Sequence, residues 1–243
     1  MSSLFFALFF LAAQPIPARA AEILAAAAAS LAPLKGDLAS EFRRASGHQV
    51  RFVFHASGML AHQIVNGAPY DVYLSANERY VEQLLDSGHL LPETLRVYAL
   101  GRLGLWSPEG RVRALEDLTA PAVRRIAIAN PAHAPYGVAA RQALERHGLW
   151  ERLKPKIVLG ENVRQAFQYA DSGNVDAAVT AWTFVARRGA LLLPAGWHEP
   201  IRQAGAVVSR SKHRSAAEAF LEFLTSEEGR RVLERHGLFP PEQ

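Results

Sequence analysis

EILAAAAASLAPLKGDLASEFRRASGHQVRFVF, residues 22–54, carries two periodicities in succession. Ile23–Ala28 is continuously apolar, as a strand buried on both faces is. After Ser30, residues Leu31, Leu34, Leu38 and Phe42 return at helical spacing, and Gly47 closes that pattern. Val50–Phe54 then alternates as a second strand does. Strand, amphipathic helix and strand in so short a stretch form the unit of a parallel α/β sheet.

The same alternation runs on from there. Ser57-Gly58 leads into a helix over Met59–Asn66, Asp71–Leu74 is a short apolar run, and Tyr80–Leu85 is helical. Val97–Trp106 reads as one long strand, followed by a short helix at Leu115–Leu118 and a strand at Ile126–Ala129. Val138–His147 and Arg164–Ser172 read as helices, with Lys156–Leu159, Ala177–Ala181 and Ala206–Val208 as strands. Ser215–Leu224 and Glu227–His236 form a helical tail. The long Val97–Trp106 stretch and the Pro-bearing Glu199–Val208 stretch suit two chain crossings. They divide the chain into lobe 1 (21–97 with 206–243) and lobe 2 (98–205), each a mainly parallel sheet flanked by helices. A single continuous sheet is the alternative.

The N-terminus reads as a targeting segment. Leu4–Ala13 is apolar but shorter than the roughly 20 residues a bilayer crossing needs. Pro15, Pro17 and then Ala18-Arg19-Ala20 fit a signal peptide over residues 1–20, cleaved after Ala20. The 243 residues contain no Cys, which excludes disulfides, thiolate metal sites and a lipidated Cys, so export points to the free periplasm. A formal charge of +4 could steer anions, nucleic acid included. Its basic pairs are scattered beside acidic neighbours, so no nucleic-acid partner is expected.

Four strand-to-helix loops place small or amide-presenting residues where a helix begins: Ala28-Ala29-Ser30, Ala56-Ser57-Gly58, Ala134-Pro135-Tyr136-Gly137 and Gly160-Glu161-Asn162-Val163. Helix N-termini carry unpaired N–H groups and partial positive charge, and so bind anions without cationic side chains. Each serine alone reads as a helix cap. The set, two loops in each lobe, points to one small anion between lobes, at the carboxyl ends of the strands. Gly58 and Gly137 would let the backbone approach it.

The stretches Ala25–Leu34 (AAAAASLAPL), Phe54–Ile64 (FHASGMLAHQI), Gly67–Asn77 (GAPYDVYLSAN), Asn130–Gly137 (NPAHAPYG), Gly160–Ala178 (GENVRQAFQYADSGNVDAA) and Gly229–Pro241 (GRRVLERHGLFPP) together resemble the molybdate-binding proteins of ABC transporters. The resemblance covers essentially the whole chain after residue 20. It implies a two-lobed type II periplasmic binding protein that closes on molybdate or tungstate by hydrogen bonds alone. It needs no cofactor and no protein-bound metal cation, acts as a monomer, and passes its cargo to a transporter permease. By position, Ser30 and Ser57 would donate N–H and hydroxyl, Tyr136 and Val163 an N–H each, and Asp71 would be structural. Many relatives place a Tyr hydroxyl on the ion where this chain has Val179-Thr180-Ala181-Trp182. With Ala181 at or next to that position, Thr180 or Thr183 becomes the candidate substitute donor.

Rival readings remain open at this level. The same fold could hold sulfate, thiosulfate or a small organic anion. An exported hydrolase could use Ser57 or Ser30, although no G-x-S-x-G elbow, P-loop or H-E-x-x-H is present. A regulatory sensing domain would want a linked DNA-binding segment, which the sequence lacks. His55, His62 and His133 are read as local polar partners rather than metal ligands. Trp106, Trp150, Trp182 and Trp197 are read as packing residues, and Arg164 as half of a structural ion pair.

Overall fold

The computed structural model describes residues 20–241. The proposed signal segment, apart from Ala20, lies outside them. In chain order the strands are β1 (Glu22–Ala28), β2 (Gln49–His55), β3 (Val72–Ser75), β4 (Arg96–Gly101), β5 (Leu103–Trp106), β6 (Ile126–Ala129), β7 (Ile157–Gly160), β8 (Ala177–Ala181), β9 (Leu191–Leu192) and β10 (Ile201–Val207). The α-helices are α1 (Lys35–Ser46), α2 (Ser57–Val65), α3 (Glu78–Asp86), α4 (Pro135–Arg146), α5 (Trp150–Leu153), α6 (Val163–Asp171), α7 (Trp182–Val185), α8 (Arg214–Thr225) and α9 (Glu227–Arg235).

These strands form two sheets, ordered β2-β1-β3-β10-β4 and β7-β6-β8-β5-β9. In each sheet the fourth strand alone runs opposite to the other four. That reversed strand is the one arriving from the other sheet, β10 in the first and β5 in the second. The expected pair of mainly parallel sheets is therefore present.

Central position explains composition. β1 pairs in parallel with β2 and β3, so both its faces are covered, and Ile23 and Ala25–Ala27 are completely buried. One face packs against Leu31, Leu34, Leu38 and Phe42, which meet Phe220 and Leu224 of the helical tail. The Phe42 and Phe220 rings meet edge to face at 4.8 Å. Removing the Phe42 ring would cost about 4 kcal/mol through lost burial and a residual cavity. The other face carries Leu60, Ile64, Val81 and Leu84 of α2 and α3. Asp71 ties the far end of β1 to the segment after β10: its carboxylate accepts from the Leu24 N–H at 2.8 Å and the Ser211 hydroxyl at 2.7 Å.

Sheet membership moves the crossings from the expected places. Val97–Trp106 is two strands, because the chain leaves the first sheet at Arg102: β4 pairs with β10, whereas β5 pairs with β8 and β9. The returning strand begins at Ile201 rather than near Ala206. Arg202 and Gln203 hide its apolar pattern, yet Gln203 is fully buried and hydrogen-bonded to tyrosines. By sheet membership the first lobe reaches Gly101 and resumes at Ile201, beyond the 97/98 and 205/206 boundaries.

Candidate functional site

The four loops singled out in the sequence meet at one small cavity. Ser30, Ser57, Tyr136 and Val163 line it together with Ala29, Ala56 and His55, around a space of about 10 Å³. No Lys, Arg, Asp or Glu lines it. Ser57 is the first residue of α2, Tyr136 the second of α4 and Val163 the first of α6, while Ser30 is second in a short 3₁₀ turn, Ala29–Leu34. In these positions a backbone N–H has no acceptor within its own helix. All four residues are at least 96% buried, so water does not replace that acceptor freely.

Neither serine caps its helix. The residues before the first turns are Ala28 and Ala56, which have no side-chain oxygen, and neither turn receives a side-chain cap. Ser57 Oγ accepts from the Ala76 N–H at 3.0 Å, which leaves its own hydrogen to donate. The Tyr73 hydroxyl donates to the Ser57 carbonyl at 2.8 Å and fixes this turn. Ser30 Oγ is completely buried and has no hydrogen-bond partner among the described residues. An orphaned buried hydroxyl is costly unless something else occupies the cavity.

On the second lobe, the Asn162 side chain caps α6 by accepting from the N–H groups of Arg164 and Gln165, and leaves the Val163 N–H uncapped. Pro135 opens α4, a favoured first position, and the helix starts three residues earlier than its apolar pattern does. The Tyr136 phenol lies near the Ser30 side chain and receives a hydrogen bond from Gln203 Nε2 at 3.0 Å. Burial pushes its pKa well above the ordinary value, and the neighbouring Ser30 and Gln203 side chains offset only part of this. It therefore stays neutral and does not repel an anion.

The substitute donors expected at the missing Tyr are not in the cavity lining. The Thr180 hydroxyl donates to the Val163 carbonyl at 3.1 Å, and Thr183 donates to the Ser30 carbonyl at 2.8 Å. Each hydrogen is engaged by a backbone oxygen. Ala181 is fully buried at the end of β8.

The roles given to the glycines also change. A side chain on Gly137 would strike the Ala129 carbonyl, so its close approach is α4 against β6. Gly58 approaches the opposite lobe: its N–H donates to the His133 carbonyl at 3.0 Å. The bond from Thr183 to Ser30 likewise ends on a backbone carbonyl of the other lobe. His133 Nε2 lies 2.9 Å from the Glu161 carbonyl, and His62 pairs with Asn66, so the histidines have local partners. Arg164, expected in an ion pair, is exposed and makes none among the described residues. No imidazole is hydrogen-bonded to either serine among the described residues.

The comparisons with known proteins agree with this geometry. The sequence profile of bacterial extracellular solute-binding proteins matches residues 23–239. The chain belongs to that family. Within it, this solute-binding protein is 36% identical over 231 residues to the molybdate-binding protein ModA of Azotobacter vinelandii, covering 90% of each chain. It is 31% identical over 226 residues to ModA of Rhodobacter capsulatus, covering 91% of this chain and 90% of that one. The solved Azotobacter vinelandii periplasmic molybdate-binding protein superposes with a TM-score of 0.86 at 30% identity, over 90% of this chain and all of that one.

Proposed function

We propose that this solute-binding protein captures molybdate, and with it tungstate, between its two lobes and delivers it to the permease of an ABC transporter. The observation that carries the reading is the buried, unpartnered Ser30 hydroxyl in an uncharged cavity edged by helix N-termini. Such a site offers hydrogens and no carboxylate. A fully deprotonated dianion satisfies every donor, whereas the proton phosphate retains near neutral pH finds no carboxylate to accept it. Low polarity around the cleft strengthens each bond once the lobes meet.

The donors assigned to the ion are the N–H and hydroxyl of Ser30 and Ser57, and the N–H of Tyr136 and Val163. Kinship to molybdate-binding relatives supports the choice of metal oxyanion over sulfate. The protein would act as a periplasmic monomer after cleavage following Ala20, which N-terminal sequencing of the exported protein checks.

Titration calorimetry with molybdate, tungstate and sulfate tests the assignment. Tight, one-to-one heats for molybdate and tungstate are expected, with sulfate much weaker. Sulfate as tight as molybdate would overturn it. At 100 times its dissociation constant, the right ion adds about 2.7 kcal/mol to the fold.

A further inference from the structure

A second cavity lies on the outer side of the same cleft, with walls from both lobes. Ala32, Pro33 and Lys35 of the first lobe face Arg164, Phe167 and Phe184 of the second. Pro33 is three residues beyond Ser30 and Arg164 directly follows Val163, so this groove adjoins two of the anion-contacting turns. Thr183, whose hydroxyl holds the Ser30 carbonyl, lines this second space.

Arg164 is the second residue of α6 and so places positive charge at the positive end of a helix dipole, whereas Lys35 stands where the 3₁₀ turn runs on into α1. Both are exposed, and neither side chain makes an ion pair or hydrogen bond among the described residues. The groove's third cation differs: Arg188 pairs with Asp171 at 2.5 Å and lies over the Trp106 and Phe167 rings.

The geometry points to Lys35 and Arg164 as a transit subsite for the oxyanion at the cleft mouth, which loads the neutral site behind it. The inference rests on the function proposed above. A cavity of neutral donors attracts an ion only at short range. A dianion outside it responds instead to the unpaired cations flanking the entrance, whose field acts over about a Debye length of 10 Å at 0.1 M salt. The division of labour leaves selectivity to the uncharged cavity and speed to the mouth.

Stopped-flow fluorescence with the mature protein and molybdate reads this directly. At low ionic strength Lys35→Gln with Arg164→Gln should lower the association rate about fivefold, within the range of electrostatic steering, and leave the dissociation rate unchanged. The difference should vanish at high salt. Lys212→Gln, an exposed cation lining a separate pocket, should change the rate little. A double variant no slower than Lys212→Gln, or a loss confined to dissociation, overturns the inference alone. A parent protein that gives no heat with molybdate overturns the proposed function and this inference with it.

Discussion

The Thr183 hydroxyl donates to the carbonyl of Ser30 across the cleft, at 2.8 Å. One lobe thus holds the backbone of the turn whose side chain faces the cavity in the other. Thr183→Val leaves that carbonyl buried without its donor when the lobes meet. The loss of about 1.4 kcal/mol should weaken molybdate binding roughly tenfold, and Thr183→Ser should restore it. Calorimetry of the two variants decides the point: equal affinities would remove Thr183 from the closing contacts.

The two serines should separate binding from stability. Ser30 Oγ has no protein partner, so Ser30→Ala should lower affinity with little change in unliganded stability. Ser57 Oγ holds the Ala76 N–H, so Ser57→Ala should lower affinity and also destabilise the apo fold by about 1 kcal/mol. Denaturant unfolding without ligand distinguishes them. Identical midpoints would contradict the assignment.

Gly58 is placed to read closure. A Cβ there would lie 3.0 Å from the His133 carbonyl oxygen and 2.9 Å from the Tyr80 hydroxyl. Gly58→Ala should therefore keep a folded, ligand-free protein while shrinking the rise in melting temperature produced by molybdate. A full thermal shift in the variant would show that the lobes meet elsewhere.

Acid stability should depend on Asp176. Burial works against its charged form, but the N–H groups of Arg125 and Arg124, each 2.8 Å from the carboxylate, together with their positive side chains, prevail and lower its pKa below the ordinary 3.8. Its contribution is complete above the unfolded value and disappears as pH falls through the lower folded value. Asp176→Asn should destabilise the protein near neutral pH by about 1 kcal/mol and flatten the decline below pH 3.8. Chemical denaturation across that range provides the check; parallel acid limbs for parent and variant would refute it.

Much of this architecture was legible because helices and strands print different periods. Leu31, Leu34, Leu38 and Phe42 face one core, and the four cavity-lining loops follow directly from where helices had to start. Other features depend on neighbours distant in sequence. Nothing local marks Arg102 as the point where a strand changes sheet. Gln203 looks like a surface residue until Tyr98 and Tyr136 are seen on either side of it. Thr180 and Thr183 carried the right chemistry for donors, but which acceptor takes a hydroxyl hydrogen is decided by packing. Arg164 suggests an ion pair by its type, while its surroundings supply none among the described residues.

The strand order also imposes a schedule on synthesis. All five strands of the second sheet lie within residues 103–192, so that half is built from one contiguous segment. The first half is not: β10, which bridges β3 and β4, emerges after everything else in either sheet, and Phe239 pairs with Leu100 later still. A nascent chain therefore carries an unfinished N-terminal half, with a gap between β3 and β4, until translation is almost complete.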